Sequence, residues 1–284
     1  MKKLLIVAAL LFTTGCVSQE EQSEERIVTT SVAIAEILDE LGVDTVVGVP
    51  TSETYTLPER YDGVDEVGMP MNPDMEIIST LNPTLILSPN SLEGDLKERY
   101  SNSKIDAAFM NLKSVTGMYK SIEELGALIG KEEEAQVLVD DFKTYMEDYQ
   151  EKNGDREGPR VLILMGLPGS YVVATENSYV GSLVELAGGK NVYTGESEED
   201  FINVNVEDML EKSPDIILRT SHAQPEDVQV MFEEEFSTNE IWQHFDAVTN
   251  NKVYDLDNEY FGMSANFNYQ KALEVLDELF YGSK

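Results

Sequence analysis

The side chains able to ligate a metal or run acid–base chemistry are unevenly supplied. The 284-residue chain has one cysteine, two histidines and 11 methionines, set against 54 acidic and 20 basic residues. A single cysteine, Cys16, excludes an intramolecular disulfide framework, a Cys-rich zinc site and a Cys-ligated iron–sulfur cluster. Metal chemistry must therefore use His, Met, Asp, Glu or Tyr. Two histidines fall short of the sets that hold zinc or manganese. His222 follows three positions after the apolar run PDIILR, a strand buried on both faces, and so lies at a carboxyl end, where open α/β sheets hold their ligands. His244, in IWQHF beside Trp242 and Phe245, sits on a helical pattern and reads as structural. The turn GLPGSY lacks the spacing of a dinucleotide fingerprint. A net charge of −34 with no cluster of Lys and Arg argues against a nucleic-acid binder.

Cys16 is informative through its position. Lys2 and Lys3 precede an apolar stretch over residues 4–12, and Thr13-Thr14-Gly15 leads into the cysteine, which reads as an export signal over residues 1–15. The Gly-Cys junction resembles the lipobox of bacterial lipoproteins, with Thr13 where that family usually has Leu. The resemblance implies that Cys16 is acylated and becomes the mature N-terminus, anchored to the extracellular face of the cell membrane. Loss of Lys2 and Lys3 takes the charge from −34 to −36. Residues 16–25 form an acidic tether without periodicity.

The rest of the chain repeats itself. Residues 31–49 place Ile34, Ile37, Leu38 and Leu41 at helical spacing, then Gly42 as a stop and the β-branched Val46-Val47; residues 178–195 repeat this with Val180, Leu183, Val184, Ala187, Gly188 and Val192-Tyr193 at an offset of 146. MEIISTLNPTLILS and VEDMLEKSPDIILR form a second pair, each a short helix, a Pro and a buried strand. Between the halves, a shorter helix around 121–128 precedes a long helical pattern over 131–153 with Leu138, Phe142, Tyr145 and Tyr149 on one stripe and Gly154 as its stop. The second half then opens with RVLILMG, the turn LPGS and YVVAT. These patterns predict an α/β chain of two Rossmann-like lobes: an N-terminal lobe over 26–118, a helical segment over 119–154 with one long interlobe helix, and a C-terminal lobe over 155–284.

An exported chain so organised resembles the helical-backbone class of substrate-binding proteins that feed ABC importers of iron complexes, haem and cobalamin. Within it the chain is similar to the haem-binding lipoproteins of the Gram-positive iron-regulated surface determinant system. The matching segments are RIVTTSVA, EVGMPMNPDME, RVLILMGLPGSYVVAT, NSYVGSLVELAGGKNV, PDIILRTSH, AQPEDVQVMFEEEF and NEIWQHFDAVTNNKVYDL. The resemblance implies that Met71, in GMPMNP, and His222, in RTSHAQP, are the axial ligands to the iron of a transported protohaem IX, one from each lobe. Imidazole plus thioether is an established haem ligand pair. Asn72-Pro73 reads as an N-cap and a first helical residue that would fix the Met71 loop. Met69, two residues earlier, is the alternative register, and methionine is ordinarily core filler.

The same resemblance implies a ligand cleft between the lobes and lines it with Thr30, Ser31 and Val32 in the first lobe and Asn177 and Ser178 in the second, with Tyr171 and Tyr179 as aromatic walls. Simple capping or packing is the competing role of each. The segment PTSETYTLPER departs from the family by a short insertion and lacks the basic residue expected near the propionates, leaving helix N-terminal amides to serve them. Docking to permease subunits is implied at Glu76 and at one of Glu226, Glu233, Glu234 and Glu235, each of which could equally be solvated helix surface. The expectation is a monomeric carrier, not an enzyme, which takes haem from a cell-surface donor. A siderophore or cobalamin receptor of the same class is the alternative. An exported peroxidase would need an open iron position.

Overall fold

Ile27, Val28 and Thr29 are fully buried, and they form the central strand of a sheet covered on both faces, as parallel sheets are. The computed structural model describes residues 25–154, 156–195 and 197–282; the leader, Cys16 and the tether up to residue 24 lie outside the described residues. The first lobe runs β1 (Ile27–Thr29), α1 (Val32–Glu40), β2 (Val46–Val49), β3 (Asp65–Glu66), β4 (Gly68–Met69), β5 (Asn72–Pro73), α2 (Met75–Thr80), β6 (Leu85–Pro89), α3 (Glu93–Ser103) and β7 (Asp106–Met110). Its main sheet is wholly parallel, in the order β3-β2-β1-β6-β7. All its strands therefore end on one edge, and the order reverses direction between β1 and β6, where such sheets bind ligands.

Two helices follow, α4 (Val115–Ile129) and α5 (Glu132–Asn153). The helix expected around 121–128 starts earlier because Ser114 caps it, accepting from the Gly117 amide at 3.0 Å. Gly130, at φ +67°, ends α4, and the chain turns at once into α5. The 22 residues of α5 span about 33 Å. Its start adjoins Gly42 of the first lobe through Lys131, and at its far end the Tyr149 hydroxyl donates to Asp277 of the second lobe at 2.8 Å.

The second lobe comprises β8 (Arg160–Leu167), β9 (Ser170–Ala174), α6 (Tyr179–Leu186), β10 (Lys190–Asn191), β11 (Phe201–Ile202), α7 (Val206–Glu211), β12 (Ile216–Ser221), α8 (Pro225–Thr238), α9 (Asp246–Thr249), β13 (Val253–Asp255) and α10 (Tyr269–Tyr281). The order β11-β9-β8-β12-β13 matches the first lobe on the β12 side, with all pairs there parallel. On the other side the repeat is broken. β9 folds back antiparallel on β8 from Leu164 onward, so β10 pairs only with Arg160 and Val161, and the strand expected at Val192-Tyr193 does not extend.

Side chains alternate across each sheet. Val28 and Ile86 point outward to Ile78, Leu96 and Tyr100, and Leu162 and Leu164 outward to Phe232 and Trp242. The opposite set, Ile27, Leu85, Leu87, Val161, Ile163 and Met165, enters one continuous apolar cluster that passes through Val115, Ile122 and Val139 and reaches Leu273. The lobes thus share a core. Tyr119 of α4 stacks on Phe142 of α5 at 4.2 Å, and both meet Tyr269 of α10 edge-on. At Gly126 the two linking helices approach so closely that an added Cβ would lie 2.5 Å from the Ala135 methyl. Gly126→Val is therefore expected to lower stability by about 1–3 kcal/mol in denaturant titration. Gly94→Ala, on an open face of α3, should instead raise it by about 0.5–1 kcal/mol.

Candidate functional site

The strand ends of the two lobes meet through the loops that follow them. Behind β7, the Leu112 carbonyl accepts from the Ala265 amide at 2.8 Å, and Lys113 pairs with Asp200 at 2.9 Å. Behind β2, the Tyr55 hydroxyl reaches the Asn258 carbonyl at 3.4 Å. The segment 50–60, which departs from the expected pattern, thus reaches the lobe junction through Tyr55. Arg60 is committed to Asp39 and Asp44, both at 2.6 Å, far from an anion-binding role.

Met71 belongs to this edge. It lies in the two-residue turn of the β4–β5 hairpin, whose register pairs Gly68 with Pro73 and Met69 with Asn72. Asn72-Pro73 is therefore strand and not a helix start, because the fixed φ of proline suits an extended edge as well as a first helical turn. The cap of α2 is Asp74, whose carboxylate accepts from the amides of Glu76 and Ile77 at 2.9 and 3.1 Å. Gly68, at φ +89°, makes the bend into the hairpin, and its carbonyl accepts from the Thr51 amide. The Met71 side chain is 66% exposed and that of Met69 64%. Neither is core filler.

Thr30 and Ser31 stand at the switch point after β1. The Thr30 hydroxyl is buried and lies 2.7 Å from Ser88 Oγ, which is 2.9 Å from the Tyr100 hydroxyl. Ser31 is the N-cap of α1 but makes no side-chain cap, so its hydroxyl leaves the first-turn amides beside half-buried Val32 unclaimed.

In the second lobe His222 directly follows β12, and its amide donates to the Gly166 carbonyl at 3.0 Å, fixing it beside the end of β8. Burial holds the imidazole pKa below its usual value. At neutral pH it is uncharged and has a lone pair to offer. Tyr171 lies opposite Gly166 at the same edge, and its hydroxyl donates to Glu235 at 3.1 Å. Asn177, Ser178 and Tyr179 are set back, since antiparallel β9 returns the chain toward the start of β8 before α6 begins. Asn177 holds the Ser197 carbonyl, Ser178 caps the Gly181 amide, and Tyr179 is 1% exposed within the shared core. His244 is solvent-exposed at the end of a 3-10 turn.

Of the carboxylates read as docking groups, Glu76, Glu226, Glu233 and Glu234 are exposed. Glu235 is engaged otherwise. Its Oε1 accepts from Trp242 Nε1, Asn239 and Tyr171, and although desolvation pushes its pKa up, these hydrogen bonds win and hold it below the ordinary value. Lys113 and Asp200, 87 positions apart, gave no sequence signal beyond the scarcity of cations.

Among the described residues no three His, Cys, Asp or Glu side chains converge as a metal cage, and a cavity of about 600 Å³ beside Asn90 and, on α3, Glu93 and Lys97 touches neither Met71 nor His222. One thioether and one neutral imidazole cannot coordinate a bare ion fully. They suit a metal complex that carries most of its own ligands.

Two α/β lobes clasped by a backbone helix, with the carboxyl ends of their strands meeting at the junction, define a substrate-binding protein. The chain belongs to the periplasmic binding protein family, whose pattern matches residues 27–260. It is similar to the high-affinity heme uptake system protein IsdE of Staphylococcus aureus, at 41% identity over 99% of this chain and 97% of that one. The crystal structure of S. aureus IsdE complexed with heme matches with a TM-score of 0.85 at 43% identity, covering 91% of this chain and 99% of that one. An ABC transporter substrate-binding protein from Listeria monocytogenes EGD-e matches with a TM-score of 0.85 at 44% identity, over 92% and 100% of the two chains.

Because folding lowers the His222 pKa, the neutral form is favoured above the unfolded value, and that preference is lost as pH falls through the folded value. In the ligand-free protein an NMR titration of the His222 ring should give a midpoint below about 6.5; a midpoint above it would contradict the buried, neutral ring.

Proposed function

We propose that this chain is the haem-binding component of an ABC importer, a carrier and not a catalyst. The observation that carries the reading is that the carboxyl edge of each lobe carries one side chain able to ligate iron, the exposed thioether of Met71 on a first-lobe hairpin and the half-buried imidazole of His222 at a second-lobe strand end. The similarity to IsdE over nearly the whole chain supports it. Protohaem fills the four equatorial positions of its iron and leaves two axial ones, which these side chains would complete. The unclaimed amides at the start of α1, with Ser31 and Val32 beside them, would receive a propionate. Thr30, whose hydroxyl is tied to Ser88, would shape the pocket from behind. Tyr171 stands at the edge beside His222, whereas Asn177, Ser178 and Tyr179 would act by supporting the lobe.

Acylated Cys16 would tether the protein to the extracellular face of the membrane as a monomer, the acidic tether giving it reach. Permease docking would fall to Glu76 on one lobe and Glu226, Glu233 or Glu234 on the other, since Glu235 is held by three donors.

Purified protein titrated with haem should give a six-coordinate, low-spin spectrum. His222→Ala should weaken binding about 100-fold, the equivalent of about 3 kcal/mol, and Met71→Ala should leave haem bound with altered coordination. Haem that binds with a spectrum unchanged by either substitution sinks the ligand assignment. Indifference to haem with fluorescence quenching by a ferric siderophore or cobalamin moves the protein to another ligand.

Docking separates from binding. In cells, Glu76→Ala combined with Glu226→Ala, Glu233→Ala and Glu234→Ala should reduce haem-dependent growth while the purified variant binds haem like the parent. Unimpaired growth would rule these carboxylates out.

A further inference from the structure

The hairpin that carries Met71 is small and exposed. A two-residue β4, a two-residue turn and a two-residue β5 cannot hold a side chain in place by their own ladder. Backbone bonds secure its base: the Gly68 carbonyl accepts from Thr51 and the Val67 carbonyl from Asp74 at 2.7 Å. The returning strand is held by something else. Arg99, from α3, donates through Nη1 to Asn72 Oδ1 at 3.1 Å and through Nη2 to the Pro73 carbonyl at 3.0 Å. Asn72 is the residue immediately after Met71.

The other side of the same helix faces the sheet. Leu96 and Tyr100 are buried in the outer core of the first lobe, and the Tyr100 hydroxyl closes the chain through Ser88 to Thr30 at the mouth of α1. α3 is therefore anchored at the switch point by one residue and grips the hairpin by its neighbour. The planar fork of arginine suits this task, because two donors of fixed geometry constrain position and orientation together.

We infer that Arg99 is a positioning residue for the Met71 ligand: it sets the returning strand of the hairpin relative to the switch point, so that the sulfur meets iron without first being ordered. The inference rests on the reading of Met71 as an axial ligand. Arg99 itself does not touch the cargo. A flexible thioether would have to lose conformational freedom on binding, and prior ordering by Arg99 removes part of that cost.

The test is a cycle of four proteins: the parent, Arg99→Ala, Met71→Ala and the double variant. Each is titrated with haem, with spectra in both oxidation states. In the Met71 protein, Arg99→Ala should weaken haem binding about tenfold and convert part of the low-spin ferric spectrum to high-spin. In the Met71→Ala background the same change should do nothing to affinity. Arg99→Lys, which offers a point donor in place of the fork, should restore part of the low-spin fraction, and Asn72→Ala, which removes one of the two acceptors, should reproduce part of the loss.

Equal weakening in both backgrounds would mean that Arg99 acts on haem directly or through the fold at large, and overturns the proposal. So does a parent-like spectrum and affinity for Arg99→Ala while Met71→Ala alters both. If Met71→Ala itself leaves the spectrum unchanged, the ligand reading fails and Arg99 falls with it, a result distinguishable from the preceding one.

Discussion

Both lobes are built on one shared apolar core. The inner faces of the two sheets and α1, α4, α5, α6 and α10 bury Ile27, Leu38, Ile122, Val139, Ile163, Leu183 and Leu273 in a single cluster, so the strand-end edges are fixed relative to each other by packing and not by loops. Opening the lobes widely would return that surface to water at about 25 cal/mol per Å². Small adjustments remain open to the polar contacts at the junction, Lys113 with Asp200 and Tyr55 with Asn258, because partly exposed pairs hold weakly. Such a body binds by presenting preset groups at a nearly fixed gap. Release of a ligand held in this way would require work on the lobes from outside.

The charge of −34 has its explanation in the same plan. Acidic residues occupy exposed positions such as Glu132, Glu133 and Glu134 at the start of α5, where they also oppose the helix dipole favourably. Under the proposed function, an anionic cargo held through iron and an apolar ring would not need a cationic pocket. Several of the cations are used structurally: Arg60 on two aspartates, Arg156 on Asp277, and buried Arg219 on Asp255 with Phe236 over its guanidinium at 4.9 Å.

Much of this was legible in the sequence, and the exceptions have physical causes. Helical spacing located α1, α6 and α5 because an amphipathic stripe is a local signal, and continuous apolar runs located β6 and β12. Position after such a run sufficed to place His222 at a sheet edge. Asn-Pro is compatible with an N-cap and with an edge strand, and pairing of Pro73 with Gly68 makes the Met71 loop a hairpin turn in place of the helix entrance that the sequence suggests. The truncated β10 was invisible for a similar reason: β9 competes for the same edge of β8, which is a tertiary outcome. Asn177 and Ser178 precede the helix that repeats α1, yet the β8–β9 hairpin carries them back from the edge. Glu235 looked like its acidic neighbours and was distinguished only by the partners around it.

Trp242 is the chain's only tryptophan, stacked on Phe236 at 4.1 Å in the second lobe and bonded to Glu235, which also receives the Tyr171 hydroxyl. The protein therefore contains a native optical label belonging to one half alone. With a colourless ligand, its emission reads the surroundings of Tyr171 and α8 and is blind to the hairpin across the cleft. Occupancy and rearrangement of the second lobe can be followed in the unmodified molecule, without attaching a dye to either side.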